Sequence, residues 1–235
     1  MWKLRIAGVD GCLKGWLVVK ATSTDQGIGF EEAEIHARFA DVLTVTQECD
    51  AVAVDMPMGL SSDGPRIADA LARRAIGPRA SSVFPSPVRA VLEAASYAEA
   101  SLISAAVHRD GKKVSRQTYQ LLNKVREVDG SMSPSLQERV VESHPEVCFW
   151  ALNNQHPLVW PKRTPEGLAH RRRLLATVYV DSLSPAAPPT GSAWDDLYDA
   201  CVLAWTASRL ARGIARRFPA EPEYDGRGLR MEIVY

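Results

Sequence analysis

Five carboxylates in this chain stand where they could do chemistry together: Asp10, Asp55, Glu142, Asp196 and Asp199. Asp10 ends the apolar run Ile6-Ala7-Gly8-Val9, Asp55 ends Ala51-Val52-Ala53-Val54, and Glu142 ends Val140-Val141. An acid at the mouth of a buried strand is costly unless a cation or hydrogen-bond donors meet it. Asp196 and Asp199 are three residues apart, which places them on one face of a helix. Hard divalent cations such as Mg²⁺ and Mn²⁺ take oxygen ligands, and Mg²⁺ commonly takes a few carboxylates and keeps several waters. Two such ions about 4 Å apart can activate water and stabilise the leaving oxygen of a phosphodiester. Metal-assisted phosphodiester hydrolysis is the chemistry these acids suit.

Each acid also has a plainer role. Asp10-Gly11 is a favoured hairpin dipeptide. Asp55 before Met56-Pro57 reads as a turn acid, and Glu142 as a partner for an arginine. Asp196 can serve a helix dipole. Asp195 reads as the acid of a capping box opened by Ser192 and is set aside. His144, just after Glu142, reads equally as a proton-transfer group and as a structural hydrogen-bonding residue at a helix start.

The elements that must position these groups follow from periodicity. Residues 3–10 and 15–22 are apolar runs joined by Gly11-Cys12-Leu13-Lys14, a hairpin signal, and residues 30–37 alternate as a third antiparallel strand. A helix over 39–48 precedes the short run 51–55, which fits a strand buried on both faces. After a helical crossover that strand can lie parallel to the first. Asp10 and Asp55 then sit side by side at the carboxyl edge of the sheet, where open α/β sheets bind ligands. Residues 61–140 read as a mainly helical insertion within a single domain over 1–235, with helices at 66–76, 88–95, 97–108 and 115–128. Ser143 to Glu146 forms a capping box, a helix spans 164–180, and Pro185 to Pro189 is a linker. A long Ala-rich helix is expected over 195–218, a loop over 219–228 and a closing strand over 229–235.

Hydrophobic content of 46% and charged content of 24% allow a sizeable core. A formal net charge of zero argues against tight, sequence-blind binding to duplex DNA. Cys12, Cys49, Cys148 and Cys201 form no C-x-x-C pair and read as buried free thiols of a reducing compartment. No apolar run approaches a membrane span, and the chain starts with strand-like residues rather than a basic-then-apolar leader. The expectation is a soluble cytoplasmic protein. Its oligomeric state is left open, a homodimer included.

Several motifs together resemble a known family. They are Gly8-Val9-Asp10-Gly11-Cys12 with Gly15-Trp16, Asp55-Met56-Pro57, Ser82-Val83-Phe84-Pro85-Ser86-Pro87-Val88-Arg89, Glu142-Ser143-His144-Pro145-Glu146, Asp195-Asp196-Leu197-Tyr198-Asp199-Ala200 and the closing Leu229-Arg230-Met231-Glu232-Ile233. The chain resembles the family called domain of unknown function 429, described as predicted nucleases with an RNase H-like fold. The resemblance implies an α/β fold: a mixed five-stranded sheet of order 3-2-1-4-5 with helices on both sides. It also implies catalytic and metal-binding roles for Asp10, Asp55, Glu142 and Asp199, with Asp196 as a helper. The Asp196/Asp199 spacing is similar to the paired acids on the last helix of Holliday-junction resolvases. Arg89, Lys124 and Lys162 lie in family-like motifs and are candidates to hold a phosphate, with His144 beside them. The helical segment 61–140 departs from a minimal RNase H domain. No aromatic-plus-basic stripe marks an obvious nucleic-acid track, and runs such as Arg171-Arg172-Arg173 read as solvated faces.

The expected function is a nuclease or phosphodiesterase that uses Mg²⁺ or Mn²⁺ on nucleic acid or a phosphorylated small molecule. One rival is a nucleotide-binding phosphotransferase or ATPase whose phosphate loop is Asp10-Gly11-Cys12-Leu13-Lys14-Gly15; 235 residues leave little room for the duplicated core of such enzymes. The other is a non-enzymatic adaptor on the same fold, disfavoured because all the expected acids are present.

Overall fold

The computed structural model describes residues 2–180 and 187–235. Strand β1 (Leu4–Cys12) is fully buried from Ile6 to Val9, as a central strand with both faces covered must be. The chain reverses over Leu13-Lys14 into β2 (Gly15–Thr24), and β3 (Gly27–His36) extends the antiparallel meander. Helix α1 (Phe39–Val45) carries the chain back, so β4 (Ala51–Val54) adds to the free side of β1 in parallel. After the segment 61–139, β5 (Val140–Glu142) adds in parallel to β4. The sheet order is 3-2-1-4-5, as expected.

The segment 61–140 contributes α2 (Ile67–Ile76), α3 (Tyr97–Val107), α4 (Arg116–Gln120) and α5 (Leu122–Ser131), linked by 3-10 turns. It builds a small core of its own around Val88, Val91, Ala94, Ala100, Val114 and Leu122. The helix expected over 115–128 is two helices broken at Leu121. Helix α6 (Pro145–Leu152) follows β5, then α7 (Pro165–Leu175) and α8 (Trp194–Ala211). Beyond α7 the chain leaves the helix and runs beside β3, where Ile28 N–H donates to the Val178 carbonyl and Val180 N–H to the Ile28 carbonyl (3.0 Å each). That contact covers part of a strand edge. The expected linker at Pro185 to Pro189 begins outside the described residues.

Two differences concern the carboxyl end. Helix α8 stops at Ala211, and Gly213 follows with φ +70°, the left-handed position at which helices commonly end. The expected loop over 219–228 instead begins within β6 (Arg217–Tyr224), paired with β7 (Arg230–Val234) in a separate two-stranded sheet. Pro219 and Pro222 disguise β6, because proline is confined to strand edges and bulges. All four cysteines are free and buried. No helix among the described residues is long and apolar enough to cross a membrane.

Helix α8 lies directly across β1. A Cβ on Gly8 would fall under 3 Å from the Ala200 carbonyl oxygen and the Ala204 nitrogen, so only glycine admits this approach. Replacing Gly8 with Ala is therefore expected to lower the melting temperature by more than about 6 °C, or to abolish soluble expression, as overpacking against backbone does. Gly130, in α5 with open space around it, is the control. Gly130→Ala should leave the melting temperature unchanged or raise it slightly.

Candidate active site

Strand register sorts the sequence-selected acids. Val9 is the β1 partner of Val54, and the Asp55 N–H donates to the Val9 carbonyl (2.9 Å). Asp10 and Asp55 are thus the next residues of paired strands and share the face covered by α8. Helix α8, seated on Gly8, brings Asp199 and Asp196 to the same edge. Asp10, Asp55, Asp196 and Asp199 line one cleft of about 540 Å³.

Glu142 is not among them. It pairs in register with Val54, one residue short of Asp55, and side chains alternate along a strand, so Glu142 points to the opposite face. There its two oxygens accept from Arg66 (2.5 and 2.7 Å) and one also from the Met58 N–H (2.6 Å). Arg66 in turn holds Asp69 (2.6 Å), and all three are buried. On the α8 face the residue just past β5 is Ser143, whose hydroxyl donates to the Val234 carbonyl (2.7 Å).

The helix starts also differ from expectation. Pro145 takes the first position of α6, where its fixed φ is favourable, so the cap is His144 rather than Ser143. His144 Nδ1 accepts from the Glu146 N–H (3.2 Å), which leaves Nε2 to donate to the Ser82 carbonyl (3.1 Å). Both ring nitrogens are committed, so His144 positions the cleft wall. Glu146 binds Arg171 (2.7 Å) and Arg79 (3.0 Å). At α8 the capping carboxylate is Asp196, which accepts from the Ala193 N–H (2.9 Å). Asp195, read from sequence as that cap, pairs instead with Arg163 (3.0 Å).

Of the expected phosphate holders, Lys162 reaches the site. Its ammonium donates to Asp199 Oδ2 (2.7 Å) and lies 3.7 Å from Asp195. Arg89 ties the insertion to the β6–β7 loop through Asp129 (2.8 Å) and Asp225. Lys124 donates to the Gly15 carbonyl and sits 4.4 Å over the Trp16 ring, packed against Gly11 outside the cleft. Arg79, Arg163 and Gln117 line the cleft instead. Arg163 is adjacent to Lys162 in sequence, which is the one local signal for it. The stem of Lys14 lies against Gly191, so the β1–β2 turn is held on the loop leading into α8.

The motifs now have a common place: the strand-end acids, the helix acids and the cleft wall all belong to one carboxyl edge. A sequence profile described as a protein of unknown function, DUF429, matches residues 8–224. The chain belongs to this family. No curated protein and no solved structure matches it.

In this DUF429 protein the acids act on one another. Burial, then Asp55, then Asp199 raise the Asp10 carboxyl well above its usual range. Burial also pushes Asp199 up to about 6, against the pull of Lys162. Burial works against the Lys162 ammonium, but Asp199, Asp10 and Asp55 outweigh it and hold its proton more tightly than usual. No hydrogen bond among the described residues meets the Asp10 or Asp55 carboxylates, and Asp199 Oδ1 is buried without a partner. Carboxylates without donors lining one cleft suit a hard divalent cation. Among the described residues no three His, Cys, Asp or Glu side chains are set to hold a metal ion by themselves. A Mg²⁺ site here would have to rely on one or two carboxylates together with waters and substrate phosphate rather than an all-protein cage. Asp10 and Asp55 are the pair that fits.

The two classes of buried acid should respond oppositely to neutralisation. A carboxyl whose folded-state pKa is raised costs stability once pH rises past the unfolded value near 4. Asp10→Asn in EDTA should therefore raise the melting temperature at pH 8 by about 2–4 °C, roughly 1 kcal/mol, with the gain fading toward pH 4. Burial pushes Glu142 up to about 7 as well, against the pull of Arg66, but Glu142→Gln strips the buried Arg66 guanidinium of a charged partner and should cost about 3–5 kcal/mol at pH 8. Thermal melts of the two variants across pH check both signs.

Proposed function

We propose that this protein is a divalent-metal-dependent phosphodiesterase acting on nucleic acid or a nucleotide diester. The observation that carries the reading is a pair of strand-end carboxylates without donors, Asp10 and Asp55, in a cleft that also presents Lys162, Arg79 and Arg163. Acids alone would repel a phosphate, and cations alone would only bind it; the cleft offers both. Asp10 and Asp55 would hold Mg²⁺ or Mn²⁺, which when bound neutralises phosphate charge and supplies Lewis acidity.

The chain's own groups supply the rest. Lys162 spends one hydrogen on Asp199 and keeps others for a non-bridging phosphate oxygen. Arg79 is anchored through Nε on Glu146, so its guanidinium is oriented at the cleft wall for charge-assisted bonds to phosphate. Asp199 orients the Lys162 ammonium through Oδ2, and its Oδ1 is shut away from solvent without a partner. Buried Glu146 and Arg171 brace Arg79 from behind, and His144 fixes the start of α6 beneath it.

Hydrolysis of bis(p-nitrophenyl) phosphate and of labelled oligonucleotides, with Mn²⁺ and with EDTA, tests the proposal. Activity should require the metal, and Asp10→Asn and Asp55→Asn should each lower the rate at least about a hundredfold. Lys162→Met should cost about a hundredfold, the scale of a lost transition-state donor. Glu142→Gln, where it folds, should retain the metal requirement. Undiminished turnover in EDTA or in Asp10→Asn would refute the reading.

A further inference from the structure

The first turns of α8 serve two surfaces. Away from the acid cleft, α7 and α8 enclose a shallow, mainly apolar groove of about 600 Å³. Trp194 and Tyr198, one helical turn apart, form one wall, with ring centroids 5.6 Å apart and planes inclined at 39°. Leu168 and Ala176 supply the opposite wall, and Arg172 and Arg173 the rim. Trp194 is 36% exposed, so part of its ring remains open to solvent. The three arginines of α7 differ in what they do. Arg171 is fully buried and committed to Glu146, whereas Arg172 and Arg173 are exposed and in no ion pair among the described residues.

The groove and the cleft are joined by charge. At 100° per residue around α8, Asp195 and Asp199 fall between the Trp194/Tyr198 stripe and Asp196. Those two acids carry Arg163 and Lys162, so two cations occupy the seam between the surfaces. Arg172 also lies close enough to oppose the effect of burial on the Tyr198 hydroxyl.

We propose that the α7/α8 groove is a docking subsite for single-stranded nucleic acid, in which a base stacks on Trp194 while Arg172 and Arg173 hold adjacent phosphates. The strand then passes Arg163 and Lys162 into the acid cleft, so the inference rests on the phosphodiesterase reading and narrows its substrate to a single strand. Every base has a π-face, so aromatic stacking accepts any sequence, and a duplex conceals those faces. The chemistry needs only local positive charge, which is compatible with a formal net charge of zero.

Fluorescence anisotropy of a labelled dT12 strand on the full-length protein in EDTA tests this without turnover. Binding should be at least about tenfold tighter than to a blunt duplex of equal length. Trp194→Ala should weaken it about tenfold, and Trp194→Phe should restore most of the loss. Arg172→Gln with Arg173→Gln should reduce the slope of log affinity against log salt by about 1.4, the value for two single-strand phosphate contacts. If the strand binds equally well to all these variants while cleavage still depends on Asp10, the groove proposal is overturned and the cleft reading stands. If binding follows the groove but Asp10→Asn cleaves normally, the cleft reading fails instead. If Trp194→Ala changes the oligomeric state in sedimentation and leaves strand binding intact, the groove is an interface between copies and the proposal is overturned.

Discussion

Everything at the carboxyl edge depends on how closely α8 lies on β1. The contact is made by backbone: Gly8 has no side chain, and the Ala200 carbonyl and Ala204 nitrogen occupy the space a Cβ would need. Small residues on the helix side, Ala200, Ala204 and Ala207, are all fully buried there. Had β1 carried a larger residue at position 8, the helix would stand off by the width of a side chain, and Asp199 would no longer meet Asp10. One glycine thus sets the distance between two acids that are far apart in sequence.

That closeness has an electrostatic cost. Asp10, Asp55 and Asp199 crowd a buried edge with negative charge, and Lys162 is the cation bonded directly to one of them. An arrangement that spends stability in this way is characteristic of sites whose charge is completed by something bound. The contrast with Glu142 is instructive. Glu142, Arg66 and Asp69 form a buried network in which the Glu142 oxygens are all used, while Asp10 and Asp55 have acceptors to spare. Both groups are acids at strand ends; the difference is satisfaction.

Much of this was legible in the residues. The apolar runs ending in Asp10 and Asp55 announced two parallel strands and a shared edge, because the crossover through α1 leaves few other arrangements. Glu142 misled because parity depends on register, and a three-residue strand reached after eighty residues of helix and turn carries no local signal of its register. The caps were misjudged where a local rule competed with a stronger one: Pro145 at the first helical position outranks the Ser143 hydroxyl. Strand β6 was hidden by its prolines, although Gly213 marked the end of α8. The neighbours of the cleft were harder still. Trp194, Tyr198, Arg172 and Arg173 come from two helices, and only the packing of α7 on α8 brings them to one groove.

In the proposed function, Asp10 and Asp55 hold a divalent ion and Glu142 does not. Anomalous diffraction from crystals grown with Mn²⁺ and a non-hydrolysable phosphodiester tests it most directly. A manganese peak is expected within coordination distance of both Asp10 and Asp55, with Lys162 on the phosphate and Glu142 still paired with Arg66. A manganese ion ligated by Glu142, or no peak at the Asp10–Asp55 edge with the diester bound elsewhere, would contradict it.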